Sequence, residues 1–349
     1  MSDISQALKQ RVQDAYHGAE PLCIIGGNSK AFYGRACSAE TLNVSEHSGI
    51  VNYAPTELVI TARAGTRLTE IESALAEQHQ MLGFEPPHFE DATLGGTIAC
   101  NFSGPRRAYA GAARDFVLGC KLINGRGELL TFGGEVMKNV AGYDVSRLMS
   151  GAMGTLGVLS EISLKVLPIP EAELTLAKEC DLTQALQYMH QWAASPLPLS
   201  ATCYDGARLF VRLSASENAL RAAQHRIGGE VQKNAEDFWK KIREHRHAFF
   251  NSNKPVWRLS VESNAEAFEL DGKTLYEWGG ALRWLLTDES ADAVRACAHS
   301  ARGHAVLFKG SADEKFSALD PGLLKLHQKL KTAFDPKGIL NPGRMYAGF

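Results

Sequence analysis

The sequence lacks the motifs that mark several common classes of protein. Its seven cysteines are scattered, and no C-x-x-C pair occurs among them. This absence removes the usual local ligand spacing of an iron–sulfur cluster or a zinc ribbon, and it predicts reduced thiols in a cytoplasmic protein. Neither G-x-x-x-x-G-K-S/T nor G-x-G-x-x-G occurs, so the nucleoside-triphosphate loop and the Rossmann dinucleotide fingerprint are both missing. We predict no metal site.

Long apolar runs and an excess of one charge are missing as well. No stretch of 18 consecutive apolar residues occurs, and the N-terminal residues MSDISQALKQ are polar and charged. We therefore expect neither a transmembrane segment nor a signal peptide. The formal net charge of −2 gives no reason to expect nucleic acid or an anionic membrane as a partner. A length of 349 residues predicts two domains.

Glycine, by contrast, is abundant in one part of the chain. Twenty of the 32 glycines precede residue 158, whereas residues 158–302 contain six. Between these regions, Pro168 and Pro170 interrupt a strand-like run, which is typical of a linker. We therefore expect a glycine-rich domain, a second domain and a separate tail, at residues 1–170, 171–315 and 316–349.

The first domain alternates helix and strand and then becomes mostly strand. ISQALKQRVQDAYHG has helical spacing and ends in Gly18, a residue suited to a left-handed cap. LCII and LVITARAGT predict strands, and LTEIESALAEQHQ predicts a helix with Thr66 as its N-cap. Asn124-Gly125 lies between two strand runs and predicts a hairpin.

Three segments of this domain carry closely spaced glycines: IIGGNSK, ATLGGTIACNFSG and GAMGTLGVL. Without a Cβ, successive backbone N–H groups can converge on an anion such as a phosphate. Tight turns or close packing of the backbone would use the same residues. A ligand that touches all three segments would be an extended dinucleotide.

Four stretches resemble the vanillyl-alcohol oxidase family of flavoproteins: IIGGNSK, EPPHFEDATLGGTIACNFSG, NVAGYDVSRLMSGAMGTLGVLSEISLKVLP and FDPKGILNPGR. The resemblance implies an α+β fold in which a two-part PCMH-type FAD-binding domain is completed by the returning tail and accompanied by a smaller α+β cap domain. It also implies that FAD is held by Ile25, Gly26, Gly27, Asn28, Ser29, Lys30, Pro86, Thr93, Leu94, Gly95, Gly96, Thr97, Ser103, Gly104, Gly154, Gly157, Val158 and Arg344.

Departures from the family pattern carry information too. Many members attach FAD covalently to a histidine just after the first glycine pair, but Asn28 stands there, so we expect non-covalent FAD. The larger 2-hydroxy-acid dehydrogenases of the family have a histidine-rich catalytic stretch, whereas RGHAVLFKG offers only His304. Arg283 lies among apolar residues in YEWGGALRWLL, and its guanidinium either forms an internal salt bridge or grips a small carboxylate.

The middle segment resembles the smaller flavin subunits of bacterial glycolate oxidases, and this resemblance implies two alternative functions. In the first, the chain oxidises glycolate or a similar 2-hydroxy acid at its FAD. In the second, the chain is a non-catalytic electron-transfer and assembly subunit, whose FAD relays electrons within the complex. Both imply a larger flavin subunit and an iron–sulfur subunit as partners, and a location either free in the cytoplasm or at the inner membrane through that complex.

Two further helices are expected outside the first domain. EDFWKKIREHRHAFF predicts a surface helix with Phe238, Ile242 and Phe249 near one side, and the two-residue spacing of its histidines does not suit a metal site. LLKLHQKLKTAF predicts an amphipathic helix whose apolar face is Leu323, Leu326, Leu330 and Phe334. A turn at residues 341–343 would follow and present Arg344.

Overall fold

The computed structural model describes residues 2–135 and 144–348. The chain forms two compact units: the first comprises Met1–Phe102, Ala112–Pro168 and Ala318–Phe349, and the second comprises Ser103–Gly111 and Ile169–Ser317. The tail therefore belongs to the first unit. The boundaries expected from the sequence do not assign Ser103–Gly111 to the second unit, because the composition does not change there.

Helices and strands are mixed along the chain, which confirms the α+β class. The α-helices of the described residues are α1 (Ser5–Gly18), α2 (Leu68–Ala76), α3 (Leu94–Cys100), α4 (Arg107–Ala110), α5 (Ala113–Phe116), α6 (Val145–Leu148), α7 (Leu182–Ala193), α8 (Glu217–Ile227), α9 (Ala235–Arg243), α10 (Ala291–Ser300) and α11 (Pro321–Phe334). The strands are β1 (Leu22–Ile25), β2 (Glu40–Asn43), β3 (Ile50–Ala54), β4 (Val59–Arg63), β5 (Gln80–Met81), β6 (Val117–Ile123), β7 (Leu129–Gly133), β8 (Val158–Lys165), β9 (Leu167–Pro168), β10 (Ala172–Glu179), β11 (Leu199–Tyr204), β12 (Arg208–Ala215), β13 (Glu230–Val231), β14 (Val256–Ser260), β15 (Lys273–Glu277), β16 (Leu282–Leu286) and β17 (His304–Lys309).

The first unit contains a five-stranded antiparallel sheet in the order β3-β4-β8-β6-β7 and a parallel pair, β1-β2. Strand β8 is central, and six of its eight residues are buried. The tail joins β1 directly, since the N–H of Leu22 donates to the carbonyl of Ile339 at 2.7 Å. A core cluster that includes Val12 of α1, Val158 of β8 and Leu340 of the tail fixes these pieces together.

The expected helices α1 and α2 form, but their ends differ from the sequence prediction. Gly18 is still helical, and Ala19 takes the left-handed conformation with φ of 54°. Thr66 does not cap α2, whose first flanking residue is Arg67. The Thr66 side chain is fully buried, and its hydroxyl instead accepts from the N–H of Gly49, on another segment, at 2.9 Å.

The predicted hairpin also forms, as β6 and β7 pair from Gly119↔Gly133 to Ile123↔Leu129. Its connection is longer than a two-residue Asn-Gly turn. The Asn124 side chain accepts from the N–H groups of Arg126 and Glu128, at 2.9 and 3.0 Å. The positive φ of 74° falls on Gly127 and not on Gly125. The side-chain bonds of Asn124 thus shape this turn more than the dipeptide does.

The second unit is built on an antiparallel sheet with the strand order β13-β10-β12-β11-β15-β16-β14-β17. Met189 and Trp192 of α7 and Leu220 of α8 pack in one core cluster of this unit. Val294 and Ala298 of α10 belong to another.

The stretch predicted as one surface helix after residue 235 forms two pieces. Helix α9 ends at Arg243 and a 3-10 helix spans Ala248–Phe250. The buried side chains of α9 are Trp239 and Ile242, so the predicted apolar side was only partly right. Between the two pieces lies His245, with φ of 51° and its ring 4.8–4.9 Å from those of Phe250, Trp284 and Phe308. No helix of the described chain is both long and apolar enough to cross a bilayer.

Helix α11 forms over the predicted residues and begins at an N-cap, Asp320, whose carboxylate accepts from two backbone N–H groups. Its expected apolar face is not buried, however. Leu323 and Leu326 are 47% and 51% exposed, and the one buried residue of the helix is Lys331. The polar contacts of Lys331 and the ring contact of Phe334 with Phe132, and not Leu323 or Leu326, hold this helix to the first unit.

Candidate cofactor-binding site

A cavity of about 420 Å³ opens in the first unit where the three glycine segments approach one another. This volume falls in the range of roughly 300–1,000 Å³ that is common for small-molecule sites. Strand β1 leads into it from one side and the start of α3 from another. Of the predicted cofactor residues, those that line it are Ile25, Gly26, Gly27, Asn28, Ser29, Lys30, Thr93, Gly95, Gly96, Gly154, Gly157 and Arg344.

The other predicted cofactor residues do not line this cavity. Leu94 and Val158 are 1% and 0% exposed and pack into the core, and Pro86 is buried as well. Ser103 and Gly104 belong to the second unit, where the carbonyl of Gly104 accepts from Trp278 Nε1 at 3.0 Å. Thr97 is fully buried next to Gly96, and its hydroxyl has no hydrogen-bond partner among the described residues.

The first glycine loop follows β1 and turns at Asn28, which has a φ of 54°. Gly26 and Gly27 are required there by the protein itself. A Cβ on Gly26 would lie 2.5 Å from Thr93 Oγ1, and one on Gly27 would lie 1.8 Å from the carbonyl oxygen of Asp91. These two glycines therefore let the loop pack against the segment before α3, and that packing brings the loop to the cavity.

The second glycine pair forms the first turn of α3. Thr93 caps this helix by accepting from the N–H of Gly96 at 3.4 Å. A Cβ on Gly95 would meet Ala64 Cβ at 2.7 Å, whereas a Cβ on Gly96 would approach only Thr93 Oγ1, at 3.3 Å. Gly95 thus faces the protein and Gly96 faces the cavity, so the two neighbours have different roles.

The third segment, residues 151–157, is a series of turns that leads into β8. Gly154 has a φ of 72°, and a Cβ there would lie 2.6 Å from Asn341 Nδ2. A Cβ on Gly157 would lie 2.4 Å from Leu122 Cδ1. Close packing against β6 and the tail accounts for these glycines, while the same segment lines one side of the cavity. The preceding part of the family-like stretch, residues 139–143, lies outside the described residues.

The tail ties two of the glycine segments together through Asn341, a residue that the sequence prediction missed. Asn341 Oδ1 accepts from the N–H of Ile24 at 2.6 Å, and Nδ2 donates to the carbonyl of Met153 at 2.7 Å. Asn341 is 5% exposed, so both bonds are shielded from water. The sequence predicts the Asn-Pro-Gly turn and the position of Arg344, but it gives no sign of the two hydrogen bonds that Asn341 makes.

Arg344 fastens the first loop from the same turn. Its guanidinium donates to the carbonyls of Arg35, Lys30 and Ala31, and the N–H of Arg35 donates back to the Arg344 carbonyl. One helical turn from the end of α11, Lys331 Nζ donates to Thr155 O, Leu340 O and Asp335 Oδ2 at 2.7–2.8 Å. Burial lowers the pKa of Lys331, and the neighbouring Asp335 carboxylate opposes that effect.

The cavity is electrostatically suited to an anion. Two cationic residues, Lys30 and Arg344, line it, and no aspartate or glutamate does so in the part of the chain that the structure describes. Their field is felt at Cys100 on the cavity wall: burial raises the pKa of this thiol, and the two cations act in the opposite direction. Burial and a hydrogen bond with Cys23 raise the pKa of Cys37 to about 12, so this thiol is neutral at physiological pH.

The predicted substrate residues do not have the expected surroundings. Arg283 is 1% exposed, and its guanidinium donates to the backbone carbonyls of Gly280, Glu266 and Ala265. The rings of Phe268 and Tyr276 lie 4.3 and 5.2 Å from Arg283 Cζ. It thus makes neither the salt bridge nor a carboxylate site, because three carbonyls take its donors. His304 begins the strand β17 and is exposed.

Comparisons with known proteins agree with this geometry. Residues 5–133 match the model of the FAD binding domain, and residues 288–345 match that of the FAD linked oxidases C-terminal domain. The chain is 50% identical over 346 residues to the glycolate oxidase subunit GlcE of Escherichia coli (strain K12), which covers 99% of this chain and 98% of that protein. The chain belongs to the GlcE family. The prediction of FAD as cofactor is thereby confirmed.

More distant relatives place the GlcE family among the FAD-linked oxidoreductases. The glycolate oxidase subunit GlcD of Bacillus subtilis (strain 168) is 34% identical over 119 residues, which cover 34% of this chain and 25% of that one. Among solved structures, an alkyldihydroxyacetonephosphate synthase superposes with a TM-score of 0.68 over 97% of this chain and 74% of its own, at 15% identity. That similarity confirms the fold, and the position of each FAD-contacting residue stays a prediction.

Proposed function

We propose that this chain is the FAD-binding subunit of a complex that oxidises glycolate or a similar small 2-hydroxy acid, and that the cavity of the first unit holds the cofactor. The single observation that carries the cofactor site is the convergence of the first loop and the open Gly96 turn on a cavity that, among the described residues, has cationic and no anionic side chains. The similarity to GlcE along the whole chain supports the substrate class.

The pyrophosphate is the part of FAD that suits this cavity. Backbone N–H groups of the first loop are natural donors to phosphate oxygens, Gly96 leaves room for the ligand, and Lys30 and Arg344 offset the negative charge. When bound, FAD supplies a two-electron acceptor. The chain holds it without a covalent bond at Asn28, since an amide side chain does not form the link that a histidine makes.

This binding mode is tested on the purified chain. We expect it to be yellow and to release intact FAD on acid precipitation. Flavin that stays with the precipitate would contradict non-covalent binding. A colourless chain that gains no thermal stability from added FAD would contradict the site itself.

A second proposal concerns the role of the chain within the complex: its FAD relays electrons and the substrate is oxidised on a partner. The observation that favours this is Arg283, whose donors are taken by its own backbone. The discriminating experiment is anaerobic addition of glycolate to the isolated, FAD-loaded chain. An unbleached flavin supports the relay, and bleaching at 450 nm within seconds would assign substrate oxidation to this chain.

The relay requires partners that take the electrons onward. Among the described residues no group of three or more His, Cys, Asp or Glu side chains could hold a metal ion, and the sequence has no nicotinamide fingerprint. We infer that the partners are a larger flavin subunit and an iron–sulfur subunit, in the cytoplasm or at the inner membrane through that complex. Glycolate-dependent dye reduction should appear only when the three chains are combined, and full turnover by this chain alone would contradict the inference.

A further inference from the structure

One side of α11 has no apolar covering within the described residues. Leu323 and Leu326 are 47% and 51% exposed, and Leu330, one turn further along, is only half-buried. Their spacing of three and four residues puts them on one side of the helix. Full burial of a leucine side chain contributes roughly 1.5–3 kcal/mol. An amphipathic helix ordinarily packs such a stripe against its own domain. In α11, Leu323 and Leu326 gain little of this stabilisation, because they remain exposed.

The charged side chains within this helix all have one sign, and the carboxylate that precedes it, Asp320, caps the helix. Lys325 and Lys329 are exposed next to the leucine stripe, and residues 321–334 contain three lysines and no aspartate or glutamate. The whole chain has a formal net charge of −2, so this helix is locally basic in a slightly acidic protein. We call Leu323, Leu326, Leu330, Lys325 and Lys329 together the α11 face.

The helix is also held rigidly from another side. Lys331 is buried and bonded to Thr155 O, Leu340 O and Asp335, and the ring of Phe334 contacts that of Phe132 in β7 at a centroid distance of 6.4 Å. The face is thus presented by a fixed element and needs no folding step to bind. Pre-organisation of this kind lowers the entropy that association costs.

These observations select one kind of occupant. A second copy that docked through the same face would bring lysines against lysines, which opposes a symmetric dimer on this face. A lipid surface needs a longer amphipathic stripe with aromatic or many leucine side chains, whereas this one spans two turns and is partly buried at Leu330. A protein with an apolar depression bordered by carboxylates satisfies both the leucines and the lysines.

We propose that the α11 face is the surface through which this chain docks onto another subunit of its complex, and that the partner surface is apolar at its centre and acidic at its border. This inference rests on the proposed function, because that function supplies the partner. The face lies in the tail, apart from the residues that line the cofactor cavity.

The test measures assembly of the FAD-loaded chain with the co-expressed larger flavin and iron–sulfur subunits. Leu323→Ser/Leu326→Ser should weaken association at least tenfold while FAD content and melting temperature stay unchanged, since exposed substitutions usually move stability by no more than about 0.5 kcal/mol. Val231→Ser is the matched control, because Val231 is 51% exposed but lies in the second unit. It should assemble like the wild type.

The charge requirement is tested separately. Lys325→Glu/Lys329→Glu should also weaken association at least tenfold, and raising the salt concentration should weaken the wild type but not this variant. Normal assembly of both double variants beside an assembling wild type would overturn the docking face and leave the proposed function standing. A wild-type chain that does not assemble with either subunit would overturn the partner inference itself.

Two other outcomes would also overturn the proposal. One is leucine-dependent binding of the chain to vesicles that contain anionic phospholipid, which would make a membrane the occupant. The other is a leucine-dependent dimer in sedimentation of the chain alone, which would make the occupant a second copy.

Discussion

The two units differ in whether cationic side chains line a cavity. In the first unit, Lys30 and Arg344 line a cavity whose walls contain no acidic side chain among the described residues. In the second unit, Arg283 donates to three carbonyls of its own fold and Arg106 pairs with Glu173. The first unit thus presents two cationic side chains to a cavity, although Arg344 also donates to three carbonyls of its own unit, whereas the two arginines of the second unit only stabilise the unit that contains them.

The largest expected effect comes from Asn341, because it joins two walls of the cavity. Asn341→Leu leaves the N–H of Ile24 and the carbonyl of Met153 buried without partners, and each such group costs about 1–3 kcal/mol. We expect the free energy of unfolding to fall by about 2–4 kcal/mol and FAD affinity to fall at least a hundredfold. Urea unfolding and flavin titration measure both, with Asn251→Leu at an exposed position as the control.

Asn341→Asp sharpens this test. It keeps an acceptor for the N–H of Ile24 but has no donor for Met153 O. An intermediate loss of FAD affinity would assign part of the effect to each bond. Unchanged affinity in Asn341→Leu would mean that the tail does not shape the site.

The glycine pair at the start of α3 offers a matched comparison inside the first unit. Gly95→Ala places a Cβ 2.7 Å from Ala64 Cβ, and overpacking of this kind costs about 1–3 kcal/mol of stability. Gly96→Ala has more room, at 3.3 Å from Thr93 Oγ1, and replaces a helical glycine, so the apo chain should gain up to about 1 kcal/mol.

For FAD binding, in contrast to stability, we expect the substitution at Gly96 to have the larger direct effect. Gly96→Val puts a branched side chain into the cavity, and we expect at least a hundredfold weaker FAD binding in a chain that is still folded. Gly95→Val is expected to unfold the chain, so it does not test phosphate binding. Stoichiometric FAD in purified Gly96→Val would show that this glycine only forms a turn.

In the second unit, Arg283→Met tests whether the arginine is structural. Methionine keeps much of the apolar length but leaves three carbonyls without their donor, and we expect a loss of about 1–3 kcal/mol. The KM for glycolate of the assembled complex should not change. Arg221→Met, at an exposed position on α8, is the control and should stay within about 0.5 kcal/mol of wild type. A KM raised tenfold or more would restore Arg283 as a substrate residue.

A pH dependence, spread over several pH units, arises in the second unit. Burial lowers the pKa of His245 to about 3, while the unfolded chain has the ordinary value of 6.5. Between these values the unfolded state binds a proton that the folded state does not, so stability falls as pH drops below 6.5, by at most about 1.4 kcal/mol per pH unit. His245→Asn tolerates the positive φ and should flatten this slope. An identical slope in both proteins, from urea unfolding between pH 4 and 7, would contradict the assignment.

The sequence revealed the backbone of the site better than its side chains. Gly26, Gly27 and Gly96 were recognisable because glycine pairs after a strand or before a helix have few uses. The sequence does not show why each position needs glycine. Only the fold shows that a Cβ on Gly27 would meet Asp91, whereas Gly96 has open space beside it. Asn341 was missed because its partners are 188 and 317 residues away.

Side chains of the second unit and the tail were harder to assign. The sequence predicts an anionic partner for Arg283, because a buried guanidinium usually has one, but backbone carbonyls 17 and 18 residues away accept its hydrogen bonds instead. The apolar stripe of α11 was recognised, but helical periodicity reports only that a face is apolar and not what covers it. Both errors come from tertiary contacts that a local pattern does not contain.

The most direct test of the central claim is a crystal structure of the FAD-loaded chain. We predict the pyrophosphate in the cavity of the first unit, hydrogen-bonded to backbone N–H groups of Gly26–Lys30 and in contact with Gly96, with no covalent bond between the flavin and Asn28. A pyrophosphate bound elsewhere, or a flavin attached covalently to the chain, would contradict it.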